Sequence, residues 1–324
     1  MQKKVETFKN LPILVLGFNR PKLFNDCLIR LKSYELINIW VSIDGARNKL
    51  DYLKIKEILD YCRLHKIKKD QILINEKNYG CRNGVNRGIT WFFKKNLKGL
   101  VIEDDIEIDK DYIKKINFLL EEFKDNEEIF SISSHYEFLD KTDNIEEKGD
   151  TEFFKSPLCR VWGWATWQDR WDKHLFINKV NLSRNPITCF FALPKPYRTA
   201  NTALNLSLCI SGEIDTWDYE WNFSHVFLDS YSLTPLGIFS LNHGFNENAT
   251  HTKFGKMPWE KMDNLVEKNV NKSSKIIEIT DNKIFKICCS TGFNITNNWR
   301  IEFIKFIFKI IKKNINNFLN FKNL

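Results

Sequence analysis

Residues Leu100-Val101-Ile102-Glu103-Asp104-Asp105 join a short apolar run directly to three consecutive carboxylates. The apolar half has the composition of a buried strand, so we expect the acids where that strand ends. Carboxylates crowded at the edge of a core need a neutralising positive charge. At the carboxyl end of a parallel strand, a hard divalent cation carrying a phosphorylated ligand supplies such a charge. An acidic loop without any ligand is the alternative interpretation.

The composition of the chain fits a folded α/β protein with one large domain. Its 324 residues are 43% hydrophobic and 14% aromatic, which suits a sizeable core and excludes general disorder. The net charge of +8 favours anionic ligands, but no zinc-finger or RNA-binding pattern is visible, so no nucleic-acid partner is expected. The eight cysteines show no C-x-x-C spacing, and the sequence has neither a signal peptide nor a membrane-spanning apolar run. We therefore expect a cytoplasmic protein.

Strand-like and helix-like patterns alternate along the first 133 residues. The expected strands are 11–18, 39–43, 71–75, 99–102 and 130–133, and the expected helices are 22–32, 51–65, one ending at Phe93, and 111–123. This alternation predicts a mostly parallel sheet that is covered by helices on both faces. Polar groups follow nearly every strand, at Asn19-Arg20, Asp44, Asn78 and the acidic triplet. Because open α/β sheets bind ligands at these carboxyl ends, the four groups together favour a ligand site over a stray acidic loop.

Two well-known nucleotide-binding patterns are missing. No G-x-G-x-x-G follows the first strand, and no G-x-x-x-x-G-K-[ST] is present anywhere in the chain. Both absences argue against a dehydrogenase and against a phosphate-loop ATPase.

Two later segments combine tryptophans with charged residues. Residues 156–172 contain four tryptophans, and residues 215–221 contain two more among three acids. Aromatic faces beside carboxylates and arginines commonly bind sugar rings. Packing between helix and sheet is the alternative for any single tryptophan, but the clusters favour a sugar site.

The blocks above, taken in order, resemble the GT-A superfamily of nucleotide-sugar glycosyltransferases. Within it, the chain is similar to bacterial relatives of the eukaryotic Golgi N-acetylglucosaminyltransferases. The resemblance covers roughly residues 11 to 255 and is carried by Asn19-Arg20-Pro21, Ser42-Ile43-Asp44-Gly45, Asn78-Tyr79-Gly80, Glu103-Asp104-Asp105, Trp217-Asp218 and Asn248-Ala249-Thr250-His251-Thr252. It implies a Rossmann-like GT-A catalytic domain over residues 1–255. Residues 256–324 are expected to form a C-terminal helical extension that ends in a basic amphipathic helix.

The resemblance also implies a site for the sugar donor at the strand ends. Asp105 would bind the Mn²⁺ or Mg²⁺ that neutralises the departing diphosphate. Asp104 would lie near the ribose or the sugar, and Glu103 would support the strand end. The remaining implied contacts are Arg20 near the nucleotide, Asp44 at the uracil ring, Asn78, Arg82 near the diphosphate or sugar, and His251 at the metal or a phosphate, with His243 as the competing histidine.

For the chemical step, the resemblance points to the Trp217-Asp218 pair. Asp218 would remove the proton from an acceptor hydroxyl that attacks the anomeric carbon, which inverts the configuration in one displacement. The sequence departs from the Golgi pattern directly afterwards, so Glu220 and Asp215 remain alternative bases. The tryptophans expected to contact the acceptor are Trp162, Trp164, Trp167 and Trp217.

The C-terminal residues 294–324 form a basic, amphipathic helical pattern. Such a helix is typical of a protein that lies on an anionic membrane surface, and packing on the catalytic domain is the alternative. We therefore expect an inverting, metal-dependent transferase that is peripheral on the inner face of the membrane. It would move a sugar, with UDP as the expected nucleotide, to a glycan or lipid-linked acceptor in surface polysaccharide or lipooligosaccharide biosynthesis. A sugar nucleotidyltransferase and a catalytically silent carbohydrate-binding scaffold are the alternatives.

Overall fold

The computed structural model describes residues 8–135, 151–174, 182–235, 237, 239–244, 275–277, 296 and 298–308. Its helices are α1 (Pro21–Ser33), α2 (Lys49–Leu64), α3 (Gly80–Phe93), α4 (Lys110–Glu122), α5 (Gln168–Asp172), α6 (Pro186–Ala192), α7 (Ala200–Ser211), α8 (Trp217–Leu228) and α9 (299–308). Its strands are β1 (Ile13–Gly17), β2 (Ile39–Ile43), β3 (Ile72–Ile74), β4 (Lys98–Glu103), β5 (Ile106–Ile108), β6 (Ile129–Ser133), β7 (Thr151–Ser156), β8 (Trp164–Trp167), β9 (Tyr231–Pro235), β10 (Ser240–Asn242) and β11 (Lys275–Ile277).

Nine of these strands form one sheet in the order β11-β7-β9-β6-β8-β4-β1-β2-β3, while β5 and β10 form a separate antiparallel ribbon. Over the described residues, five of the eight strand pairs in the large sheet run parallel. The predicted α/β class, a mostly parallel sheet flanked by helices, is confirmed. The sequence patterns did not predict β5 or β8, and β8 runs antiparallel to both of its neighbours, β4 and β6.

The central strands are apolar on both faces because helices cover the sheet. All five residues of β2 and four of the five in β1 are buried. Helix α1 begins at Pro21, whose fixed φ suits the first helical position. Its buried residues, Phe24, Cys27, Leu28 and Leu31, follow the i, i+3, i+4, i+7 spacing of one helix face.

The strand order reverses at β1. From β1 the chain steps to β2 and β3, and β4 then returns to the opposite side of β1. Backbone hydrogen bonds align the strand ends, since Asp104 N donates to Leu16 O at 2.9 Å and Asp44 N donates to Gly17 O at 3.2 Å. A reversal of this kind leaves a crevice outside the carboxyl ends of the two strands, where ligands of open α/β sheets bind.

The described residues fall into two compact units. The first runs from residue 8 to Lys173 and resumes at Tyr231, and the second contains His174–Ser230 and the described residues from 296 onward. The predicted domain boundary after residue 255 lies outside the described residues, as does the predicted helix beyond residue 308. None of the described helices is long and apolar enough to cross a bilayer.

Candidate functional site

Asp104 and Asp105 follow β4 directly, at the crevice beside β1. Asp104 is fully buried and Asp105 is 6% exposed. Arg20, at the start of α1, pairs with both of them. Its Nη1 lies 2.7 Å from Asp105 Oδ2, and its Nη2 and Nε donate to the two oxygens of Asp104. The structure thus brings Arg20 together with two acids that follow it by 84 and 85 positions in sequence.

This group carries one positive charge for two carboxylates. Burial raises the pKa of Asp104 to about 7, with Asp105 contributing to the rise and Arg20 opposing it. Burial on its own would lower the pKa of Arg20, but the two neighbouring carboxylates raise it on balance. Arg20 therefore stays charged, and a further cation beside the two acids would favour the charged form of Asp104.

Asp105 Oδ1 is the atom that identifies where such a cation would bind. It is buried and has no hydrogen-bond partner among the described residues, whereas Oδ2 is paired with Arg20. A bare carboxylate oxygen is a suitable ligand for a hard cation such as Mn²⁺ or Mg²⁺. No group of three His, Cys, Asp or Glu side chains suited to a metal occurs in the described part of the chain. The residues therefore fit a cation that takes one or two protein ligands and completes its shell with phosphates and water.

Asp44, which follows β2, holds the start of α3. Its carboxylate accepts hydrogen bonds from the backbone N–H groups of Gly45, Tyr79 and Gly80 at 2.9–3.1 Å, and from Asn75 Nδ2 at 3.0 Å. A carboxylate at a helix N-terminus is stabilised by the unpaired N–H groups there and by the helix dipole. The acceptor sites of Asp44 are occupied by these donors, so its expected contact with a uracil ring gains no support from the geometry.

The other implied contacts of the sugar donor also lie at this edge of the sheet. Asn78 Nδ2 donates to Gly45 O at 3.0 Å and so ties the loop after β3 to the turn after β2. Arg82 lies in the first turn of α3 and is buried, and Glu103 is the last residue of β4. Their assigned roles remain predictions.

Sequence reasoning missed a second polar group at the end of β1. Asp51 is buried and accepts hydrogen bonds from Arg47 Nε at 2.7 Å and from Asn19 Nδ2 at 2.6 Å. Hydrogen bonds from Arg47 lower the pKa of Asp51 to about 2. The Arg47 guanidinium lies 4.7 Å from the centre of the Phe18 ring. The signal was present in Asn48-Lys49-Leu50-Asp51, since an N-cap residue with an acid three positions later marks a helix start.

Three of the four tryptophans expected at the acceptor are buried, and the fourth is half-buried. Trp164 and Trp167 lie in the central strand β8, where both are buried, and Trp167 Nε1 donates to Leu120 O at 2.9 Å. Trp217 is buried in the second unit. Buried indoles have no free face for a sugar, so the acceptor contacts expected of these three find no support. Trp162 is half-buried before β8 and stacks on His135 at 4.9 Å.

The three candidate bases lie in the second unit, on or just before α8. Asp215 is exposed, Asp218 is half-buried in the first turn of α8, and Glu220 is 1% exposed. Glu220 Oε2 lies 4.0 Å from Nε2 of the buried His174. Nδ1 of His174 is 2.9 Å from Ser224 Oγ, so Glu220 belongs to a buried polar group inside the unit.

His251 and His243 are the two histidines expected near the metal or a phosphate. His251 lies outside the described residues. His243 follows β10, and its Nε2 is 2.7 Å from Glu107 Oε2. That contact occupies Nε2, one of the two ring nitrogens through which a histidine can bind a metal.

Comparisons with known proteins find distant structural likenesses but no likeness in sequence. No family model matches the chain, and no curated protein matches it. Among solved structures, the chain is similar to the mannosyltransferase PcManGT from Pyrobaculum calidifontis in complex with GDP-Man and Mn²⁺. Identity is 9%, the TM-score is 0.42, and the match covers 74% of this chain and 59% of the other. At these values the likeness does not show what this chain binds, and the relation to the Golgi enzymes stays a resemblance.

Proposed function

We propose that the protein is a metal-dependent glycosyltransferase that moves a sugar from a nucleotide-diphosphate donor, a UDP-sugar, to a hydroxyl group with inversion. The observation that carries this proposal is the unpartnered, buried Oδ1 of Asp105 at the switch point between β1 and β4. A phosphorylated ligand with its cation matches that position, that charge and the small number of protein ligands.

The protein's own residues would bind and orient the diphosphate of the sugar donor. Asp105 Oδ1 would hold the Mn²⁺ or Mg²⁺, and the bound cation would stabilise the charge that develops on the departing diphosphate. Arg20 fixes Asp105 through Oδ2 and holds Asp104 beside it. Because Arg20 is partly exposed, it also offers a charge to a phosphate.

A carboxylate is proposed as the base for the transfer. Among the three candidates, we assign the role to Asp218, because it combines a fixed place in the first turn of α8 with partial exposure. Its carboxylate would take the proton of the acceptor hydroxyl as the oxygen bonds to the anomeric carbon. The bond from that carbon to the diphosphate oxygen breaks at the same time, with its electron pair leaving on the diphosphate.

The acceptor is proposed to be a glycan or a lipid-linked sugar of a surface polysaccharide or lipooligosaccharide. Trp162 supports a sugar contact, since it is the half-buried member of its cluster and lies where β8 begins, beside the carboxyl end of β4. A partly open indole can cover the apolar face of a sugar ring.

We further propose peripheral membrane contact on the cytoplasmic face through α9. Its Phe306 is buried and stacks on Phe190 at 5.4 Å. The opposite face exposes Ile301, Ile304 and Phe308 at 50%, 57% and 69%. Six basic residues and a single acid occur between 296 and 324, which favours an anionic lipid surface.

Sedimentation with phosphatidylglycerol vesicles tests this contact. The double variant Ile304→Ser with Phe308→Ser should pellet several-fold less than the wild type, because its apolar face is removed. Leu97→Ser, in the other unit at a 79% exposed position, is the matched control and should pellet like the wild type. Undiminished pelleting of the double variant would rule out α9 as the contact.

The proposed reaction is tested with a panel of nucleotide sugars. Thermal shift and hydrolysis of each sugar donor would be measured with and without Mn²⁺. We expect a Mn²⁺-dependent shift with at least one UDP-sugar. The absence of a shift with every nucleotide sugar would contradict the proposal.

A catalytically silent carbohydrate-binding protein is the second candidate. It is favoured by the Arg20 ion pairs, which already neutralise part of the acidic charge without any metal. Such a protein would bind glycans equally well with Asp105→Asn, whereas a transferase would lose metal-dependent binding of UDP. No observation on the site favours a nucleotidyltransferase.

A further inference from the structure

The β5–β10 ribbon continues past its last strand pair onto Asp105. Strand β5 begins at Ile106, immediately after Asp105, and pairs antiparallel with β10. The ladder extends by one step, because His243 N donates to Asp105 O at 2.8 Å. The backbone at Asp105 is therefore held by the ribbon as well as by β4.

A side-chain pair fastens the same turn to β5. His243 Nε2 lies 2.7 Å from Glu107 Oε2, and Arg30 of α1 approaches the same carboxylate oxygen at 3.5 Å. Asp105 lies in the turn between β4 and β5, and Glu107 is the middle residue of β5. The pair is partly exposed and adds little to stability by itself, but it restricts how the turn after β10 can move.

Gly244 closes the space beside the Asp105 carboxylate. A Cβ at this position would overlap Asp105 Oδ2 and would come within 2.9 Å of Asn242 Oδ1. Gly244 N also donates to Asn242 Oδ1 at 2.7 Å, which fixes the turn. Since Arg20 contacts the same Oδ2, that oxygen is enclosed, and Oδ1 is left as the oxygen without a described partner.

We propose that Glu107, His243 and Gly244 form a ribbon clamp that orients Asp105 so that Oδ1 is presented to a divalent cation. The inference rests on the proposed function, because it assumes that a cation binds at Asp105. The three residues are positioning residues, and none of them is assigned as a ligand. They hold one oxygen against the protein and thereby select the other for the ion.

Mn²⁺ binding to the full-length protein tests the clamp without any turnover. Free Mn²⁺ would be followed by electron paramagnetic resonance during titration, with and without saturating UDP. Gly244→Ala should weaken Mn²⁺ affinity about 10- to 100-fold, the usual cost of disturbing a residue that orients a metal ligand. His243→Ala should weaken it by about 10-fold. His243→Gln should restore most of the loss, because its amide can still donate to Glu107.

Gly99, a glycine of β4, provides the control for a general loss of packing. Gly99 lies at the other end of the strand, and a Cβ there would overlap the Phe92 ring. Gly99→Ala should lower the melting temperature and leave Mn²⁺ affinity unchanged. If Gly244→Ala does not fold, the two His243 variants decide the matter.

The outcomes separate the clamp from the function on which it rests. A wild-type protein without saturable Mn²⁺ binding overturns the metal site, and the clamp with it. Wild-type binding that is matched by both Gly244→Ala and His243→Ala overturns the clamp alone. Weak binding by His243→Ala that His243→Gln restores supports it.

Discussion

Neighbouring acidic residues are placed differently at the carboxyl end of β4, in the first unit, and in helix α8, in the second unit. At the strand end, the consecutive acids Asp104 and Asp105 both turn to the same arginine. In α8, Asp218 and Glu220 are two residues apart and so project about 200° from each other around the helix. One is half-buried and the other is fully buried beside His174. A strand end gathers neighbouring acids into one site, whereas a helix distributes them to different surroundings.

Burial shifts the pKa of one titratable residue in each of the two regions. Burial raises the pKa of Asp104 to about 7 and lowers the pKa of His225 in α8 to about 3. Low polarity disfavours the charged form in both cases, which has opposite consequences for an acid and a base. Burial therefore disfavours an uncompensated charge in both regions, and at the strand end a bound cation would favour the charged carboxylates.

The largest effect should come from Asp105, whose Oδ1 has no described hydrogen-bond partner. Asp105→Asn should lower turnover by about 10³-fold, because the cation loses its anionic ligand and the diphosphate loses charge stabilisation. Transfer assays with the best UDP-sugar would measure this. Asp111→Asn, at an exposed ion pair in the first turn of α4, is the control and should retain full turnover. Unchanged transfer by Asp105→Asn would refute the metal assignment.

The tryptophans should separate into packing and binding roles. Trp167→Ala should cost about 3–5 kcal/mol of unfolding free energy, as large-to-small changes in a core do. Trp162→Ala should cost far less stability and should instead raise the KM for the acceptor. Denaturant unfolding and acceptor titrations distinguish the two, and equal stability losses would contradict the division.

Within α8, the proposed base should be separable from the buried acid. Asp218→Asn should lower kcat by about 10²-fold with little change in melting temperature, since a general base contributes about this much or more. Glu220→Gln should mainly lower the melting temperature, because its partner group is buried. If Glu220→Gln removes turnover in a folded protein while Asp218→Asn does not, the assignment reverses.

The unfolding free energy of the second unit should decrease at acidic pH. His225 has a folded-state pKa of about 3, below the value of about 6.5 in an unfolded chain. The unfolded state therefore binds more protons below pH 6.5, and stability is lost as the pH falls from about 6.5 towards 3. Unfolding free energies measured by denaturant from pH 7 to pH 4 should fall more steeply for the wild type than for His225→Gln. Parallel curves would exclude this histidine as a cause.

The smallest effect is expected at an exposed ion pair away from both regions. Lys98 and Glu121 form such a pair at the amino end of β4. Glu121→Gln should change the unfolding free energy by less than about 1 kcal/mol, because solvent screens the pair. Turnover and Mn²⁺ affinity should match the wild type, and a loss of either would show that charge at a distance governs the site.

Local patterns predicted the first half of the sheet closely. The strand predicted at 39–43 is β2 without any change, and the helix predicted at 22–32 is α1 within one residue at each end. These segments are long, apolar and periodic, and their ends carry turn residues, so neighbouring residues suffice to specify them. The short β5 and the antiparallel β8 depend on partners that lie far away along the chain, and no local period reveals such pairing.

The sequence by itself determined that acids would follow a buried strand, since apolar composition and the change to carboxylates are properties of adjacent residues. It also determined the periodic helices that cover the sheet. Only the tertiary structure decided that Arg20 would pair with Asp104 and Asp105, and that Asp105 would keep one oxygen without a described partner. It also decided that Trp167 would be buried while Trp162 stays partly open. These outcomes depend on which strands become neighbours, and strand neighbours are set by packing over the whole sheet.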